Sequence, residues 1–327
     1  MSAEQPDVGG EYSRLASHHL PERENLIDLG VVMALAFTLI LWASAFAAIR
    51  LCLRPGAYTP GHLALFRFLV ASVTMLICCV VMRARRPEVR DIPKFFLMGF
   101  LGIAVYHTAL NYGQTTISAG AASFLINTAP VFTALLALLV LRERMRFWGW
   151  IGIALSLSGI LVIAQGEGGG LKIDPNALFI VLSAFAASIY MVLNKGMLKR
   201  YSAIESTTYS IWCGTIFLLV FSPGLWQTIQ NAPRSATLAA IYTGVFPAGL
   251  AYAAWAYVLS RLPASQTATF LYLTPGMAVA IAWVWLGEEP HAATLIGGVL
   301  ALLGVVMVNT WGKVQKLPAP EPLAESA

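Results

Sequence analysis

Three polar side chains, His107, Asn111 and Gln114, recur at i, i+4 and i+7 inside an otherwise apolar run. That spacing places them along one stripe of an α-helix. In a dry interior each must be hydrogen-bonded, so the stripe is better suited to lining a polar cavity than to bland packing. His107 titrates near neutrality and is a candidate carrier of a coupling proton. Arg67 stands inside another apolar run. A charge near the centre of a bilayer costs at least about 2.5–3.5 kcal/mol, so it faces the protein interior or a cavity. There it either satisfies helix-end carbonyls or meets a solute. Tyr190 and Asn194 share a helix face at i, i+4, and Trp42 and Trp255 lie inside their runs. Tryptophan is ordinarily explained by the membrane interface, and these two are not there. Aromatic walls with a few aimed polar groups suit a small amphipathic ligand.

The other chemistries leave no trace. There is no HExxH, no paired carboxylates in mid-run and no Cys/His cluster. A membrane enzyme is therefore disfavoured, and no metal or cofactor is expected. Cys52, Cys78, Cys79 and Cys213 have no zinc-like spacing and read as packing residues. No P-loop is present, which removes an ATP-driven pump.

The chain that must position these residues is a membrane protein by composition. Of its 327 residues, 58% are hydrophobic and 11% charged, with mean hydropathy +0.71. Soluble domains carry about 25% charged residues. Ten apolar runs are long enough to span, near 29–49, 62–82, 95–114, 118–141, 147–164, 176–197, 206–222, 238–259, 264–286 and 291–311. None shows the alternation of a barrel strand. The expected fold is an all-α polytopic membrane protein of ten transmembrane helices. If the N-terminus is cytoplasmic, sixteen of the 21 Lys and Arg fall in cytoplasmic segments and four outside, with Arg67 inside a span. That bias puts both termini in the cytoplasm. It also explains the pI near 9.1 without nucleic acid.

Shifted by 145 residues, the sequence matches itself. Gly99 meets Gly244, Tyr112 meets Tyr257, Pro130 meets Pro275, Glu143 meets Glu288, Gly152 meets Gly297, and Arg50 meets Lys195. The shift spans five helices, an odd number, so the two halves run in opposite directions through the membrane. The boundaries are a tail at 1–28, a first repeat at 29–164, an inverted second repeat at 176–311 and a tail at 312–327. Inverted repeats are characteristic of secondary transporters, whose halves rock about a midplane site. A channel has no need of one. Symmetry extends the candidate site: His107 maps to Tyr252, and Asn127 to Tyr272. Pro130 and Pro275 fall in mid-span and are expected to kink helices 4 and 9 and to shape the path. Glu143 and Glu288, at helix ends, read as structural caps or pairs. Gly152-xxx-Ser156 and Gly297-xxx-Ala301 let helices approach closely. They fit packing within a monomer and a homodimer interface equally well.

The run ALNYGQTTISAGAASFLINTAPVFTALLALLVLRERM (109–145) and its second copy AWAYVLSRLPASQTATFLYLTPGMAVAIAWVWLGEEP (254–290) resemble the hallmark of the EamA family of the drug/metabolite transporter superfamily. WASAFAAIR (42–50) resembles its first-helix motif, and LALFRF (63–68) its second-helix Arg. Family members commonly carry Gly and Asn after the first-helix Trp, where this chain has Ala43 and Ala45. The resemblance implies ten helices in two inverted repeats, a location in the cytoplasmic (inner) membrane, and export of small metabolites, often amino acids. The substrate-binding candidates are then Trp42, Arg67, His107, Asn111, Asn127, Tyr190, Asn194, Tyr252, Trp255 and Tyr272. The alternative is another solute class: a drug-like cation, or a phosphorylated metabolite such as a nucleotide sugar. For the phosphorylated class one buried Arg is few cations.

Overall fold

The computed structural model describes residues 29–140, 145–168, 174–259, 261–262 and 270–312. Among them every regular element is helical. The helices are α1 (Leu29–Cys52), α2 (Pro60–Val81), α3 (Val89–Gly113), α4 in two pieces (Ala119–Ile126 and Ala129–Val140), α5 (Phe147–Glu167), α6 (Ala177–Met197), α7 (Ala203–Phe221), α8 (Arg234–Leu259), α9 (Leu271–Leu286) and α10 (Ala292–Thr310). Nine are long and apolar enough to cross a membrane, and α9 is shorter among the described residues. Glu143 and residues 264–269 lie outside them.

In lipid the backbone has no water to bond, so each apolar run satisfies its own N–H and C=O groups as a helix. Helix starts are written locally. Thr59 Oγ1 accepts from His62 N–H (3.2 Å) ahead of Pro60, and Ser118 Oγ accepts from Ala121 N–H (3.3 Å). Ser202 and Glu205 form a reciprocal capping box at α7. Gly287 ends α9 at φ +70°, a conformation that glycine adopts without strain.

The two halves are inverted five-helix repeats, and their packing obeys the repeat. α1 packs on α8 and α9, as α6 packs on α3 and α4, while α2–α7, α4–α9 and α5–α10 are symmetric pairs. The α5–α10 contact is the tightest. A Cβ at Gly159 would lie 2.5 Å from the Gly297 carbonyl, and one at Gly297 would lie 2.7 Å from the Gly159 carbonyl. The small-residue stripes are thus used within one chain. α3 and α8 share a further feature: each widens into a π-helical segment, Phe100–Val105 in one and Phe246–Leu250 in the other. These lie at equivalent places in the two repeats. One extra residue per turn re-aims the side chains that follow, and such segments recur at functional sites.

Candidate functional site

The side chains after the two π segments meet the first two helices: Tyr252 and Trp255 of α8 contact Trp42 of α1, and His107 of α3 contacts Arg67 and Phe68 of α2. In α8 the segment holds Pro247, which has no N–H to give and disrupts the regular ladder. Its carbonyl accepts from Trp42 Nε1–H of α1 at 3.1 Å. Trp42 also meets Tyr252 edge-on (centroids 5.5 Å) and Trp255 at a tilt (5.2 Å). One turn along α1, Thr38 Oγ1 donates to Ala34 O (2.8 Å) and lies 3.5 Å from Ala251 O. An aromatic corner is therefore built between the first helix of one repeat and the third helix of the other.

Arg67 of α2 lies beside it and is 4% exposed. Its Nη1 is 3.4 Å from His107 Nδ1 of α3. Arginine only donates, so Nδ1 accepts and the imidazole proton sits on Nε2. The guanidinium also lies 5.5 Å from the Phe68 ring centre. Its Nε has no hydrogen-bond partner, and no ion pair reaches it among the described residues. Tyr106 and Tyr252 are within electrostatic reach of Arg67, and Tyr190 of α6 is within reach of Tyr252. Tyr190 fills the space left by Gly102 in the π segment of α3. The His107 ring meets Phe68 at a tilt (4.5 Å) and Tyr106 edge-on (4.4 Å). Trp42, Arg67, His107, Tyr190, Tyr252 and Trp255 thus form one connected group. Tyr106 joins it, although the sequence reading did not single it out.

The remaining candidates have other partners. Asn111 donates Nδ2–H to Pro60 O (3.0 Å), and Gln114 donates Nε2–H to Phe46 O (3.1 Å). Both are fully buried, and each side-chain carbonyl is unpaired. Asn194 accepts from Ser206 Oγ–H (2.6 Å), tying α6 to α7. Tyr272 accepts from Asn309 Nδ2–H (2.9 Å), tying α9 to α10. Asn127 donates to Ser123 O (2.9 Å) and sits at the break in α4. Pro130 and Pro275 are not at helix centres. Pro130 is the second residue of the half-helix Ala129–Val140, and Pro275 the second of the α-helical stretch Thr274–Leu286. The missing proline N–H is harmless in a first turn, so the chain breaks or tightens just before each ring.

A second polar cluster, at one end of the bundle, has only partial sequence signals. Arg50 Nε donates to Glu288 Oε1 (3.0 Å), and its Nη1 donates to the carbonyls of Gln114 and Thr115 (both 2.6 Å). Glu288 Oε2 accepts from Ala119 N–H (3.0 Å). Glu167 accepts from Ser118 N–H (2.7 Å), Ser118 Oγ–H (2.8 Å) and Thr294 Oγ1–H (2.9 Å). Two carboxylates thus sit at the positive N-terminus of α4. At the opposite end Glu88 accepts from Arg200 Nη2–H (2.8 Å) and Arg90 Nε–H (2.8 Å). Arg200 Nη1 reaches the buried Asp91 at 2.5 Å. Among the described residues no three His, Cys, Asp or Glu side chains gather as a metal site.

A polytopic helical bundle of two inverted repeats, with a buried polar and aromatic group where the repeats meet, is the architecture of a membrane transporter. The EamA-like transporter family model matches residues 28–165 and 175–310, and the chain belongs to that family. It is 46% identical over 277 residues to a Bacillus subtilis (strain 168) protein named uncharacterized transporter YdfC, covering 85% of this chain and 89% of that one. It is 38% identical over 291 residues to a probable terminal-alkyne amino-acid exporter of Streptantibioticus cattleyicolor, covering 88% and 97%. A solved crystal structure shares the fold, with TM-score 0.55 at 17% identity over 85% of this chain and 95% of that one.

Proposed function

We propose that this transporter is a secondary exporter of amino acids or closely related small metabolites. It works by alternating access in the cytoplasmic membrane, with both termini in the cytoplasm. The observation that carries the reading is the aromatic corner of Trp42, Tyr252 and Trp255 beside Arg67 and His107. It stands at the junction of the two repeats and next to their matched π segments, where rocking of one repeat against the other would expose it to either side. A corner of aromatic faces with a few polar groups accommodates a small solute that has both an apolar side chain and charged ends. The relative named as a probable amino-acid exporter supports the substrate class. The bias of Lys and Arg toward the segments on the side of the termini supports the orientation.

The test is uptake by the purified protein in liposomes, with a panel of the proteinogenic amino acids plus propargylglycine and with an imposed pH gradient. Protein-dependent uptake of at least one of them is expected. Absence of uptake across that panel, together with counterflow of a drug-like cation or a nucleotide sugar, overturns it.

A further inference from the structure

Among the described residues no carboxylate neutralises the charge of Arg67. The guanidinium is 4% exposed and stays protonated at any ordinary pH. Its side-chain neighbours among the described residues are neutral: His107 through an accepting Nδ1 at 3.4 Å, the Phe68 ring at 5.5 Å, the phenols of Tyr106 and Tyr252, and the Cys52 thiol. Nε, half of the side-on edge with which arginine grips a carboxylate, has no partner. A buried cation of this kind is retained where something anionic visits it. Phe68 and Tyr106 hold the His107 ring by tilted and edge-on contacts, which restrains the imidazole that Arg67 rests against.

We propose that Arg67 is the carboxylate-binding residue of the transport site, and that the substrate class is a small monocarboxylate with an apolar or amphipathic body. The carboxylate would take the Nε edge of Arg67, and the body would lie toward Tyr252, Trp42 and Trp255. The charge has no counterpart in the other repeat, where the equivalent position is Trp212. Trp212 donates its Nε1–H to Ser72 O (3.2 Å) and is occupied in holding α7 to α2. One anion site per molecule follows, placed to one side of the pseudo-symmetry axis. This assignment rests on the transport reading above but does not require the solute to be an amino acid. A phosphorylated solute fits less well, because a dianion needs more than one buried cation to leave water.

The experiment measures binding to the full-length protein in nanodiscs by ligand-induced change in melting temperature and by titration. Two skeletons are used, each in four forms: L-leucine, 4-methylpentanoate, L-leucinamide and 3-methylbutylamine, and L-phenylalanine, 3-phenylpropanoate, L-phenylalaninamide and phenethylamine. For at least one skeleton the carboxylates are expected to bind about tenfold or more tightly than the amide and the amine, the worth of a charge-assisted hydrogen bond. Arg67→Gln is expected to abolish that preference, and Arg67→Lys to retain part of it because it keeps the charge but loses the planar fork. Amides that bind the wild-type protein as tightly as the acids overturn the proposal without use of any variant. So does a preference that survives in Arg67→Gln, and so does a panel in which no carboxylate binds. If 3-phenylpropanoate or 4-methylpentanoate binds through Arg67 while both amino acids do not, the carboxylate site stands and the amino-acid reading falls. If an amino acid binds with no dependence on Arg67, the reverse holds.

Discussion

Arg50 and Glu288 are 238 residues apart in sequence and 3.0 Å apart in space. The pair joins α1 of the first repeat to the end of α9 in the second. Arg50 also holds the α3–α4 turn through carbonyls, and Glu288 holds the first amide of α4. Opening of this end of the bundle is expected to part the pair. Glu288→Gln should therefore loosen it. A partly exposed ion pair is worth up to about 1 kcal/mol, or about a fivefold change in the open population. In a background lacking native cysteines, the buried position 114 should react with a membrane-impermeant maleimide about fivefold faster when Gln114→Cys is combined with Glu288→Gln. Equal rates would show that the pair does not hold this end shut.

The same reagent tests the orientation. Asn231 follows α7 at the end occupied by Arg50, and Arg86 follows α2 at the other. With both termini cytoplasmic, Asn231→Cys should label in intact cells and Arg86→Cys only after permeabilisation. The reverse pattern would invert the topology and make the Arg50–Glu288 end cytoplasmic.

The α5–α10 seam gives a stability prediction with its own control. Gly159→Ala places a methyl 2.5 Å from the Ala301 nitrogen and the Gly297 carbonyl, backbone atoms with no rotamer to retreat into. Overpacking of this kind costs about 1–3 kcal/mol. Gly276→Ala in α9 meets nothing within 4 Å and should gain up to about 1 kcal/mol from helix propensity. Melting temperatures in detergent should fall for the first variant and hold or rise for the second. A fall in both would mean that the close approach is not what makes Gly159 necessary.

The span count, the all-helical fold and the two-repeat organisation were legible in the sequence. Apolar run length and a fixed self-match depend only on residue types along the chain. Side-chain partners were not legible, because they are chosen across helices. Tyr190 and Asn194 lie on one face, yet one packs on Gly102 and the other is bound to Ser206. The π segments left only a faint signal. Pro247 and Gly102 occupy matched positions and both loosen a helix, but a wide turn is decided by packing such as Gly99 against the α7 backbone. Pro130 showed that α4 must be interrupted but not that the interruption falls at Asn127 and Thr128, before the ring. Glu167, with its three donors, stands at the edge of a run and carried no motif.

Glu88 gives a pH prediction. Its hydrogen bond and ion pair with Arg200, aided by Arg90, hold its carboxyl below the ordinary carboxylate range. A depressed folded-state value adds stability that is present above the unfolded value of about 4.3 and is lost as pH falls through the folded one. Glu88→Gln should thus melt below the wild type at pH 7. The gap should begin to narrow as pH falls below about 4.3 and should close only below the depressed folded-state value, where the wild-type carboxyl is protonated as well. A gap that persists unchanged at low pH would mean that the side chain acts through shape and not through its charge.

Trp42 separates anchoring from solute contact. Its indole N–H is bonded to Pro247 O, and its ring forms the corner with Tyr252 and Trp255. Trp42→Phe keeps most of the ring area but leaves the Pro247 carbonyl without its donor. Losing one partner of a buried bond costs about 1–3 kcal/mol, and here the loss falls on the helix that carries Tyr252. Trp42→Ala removes the wall as well and, as a large-to-small change, should cost about 3–5 kcal/mol where the site cannot collapse. If the ring touches the solute, the two variants should differ in apparent affinity as well as in melting temperature. The Phe variant should hold its KM within about threefold while maximal rate falls, since uniform binding survives and only the helix registration is disturbed. The Ala variant, rescued for folding by lower temperature, should raise KM by about tenfold or more, the worth of an aromatic contact with an apolar side chain. Identical KM values in wild type, Phe and Ala would remove Trp42 from the binding surface and leave it as the tether between α1 and the π segment of α8.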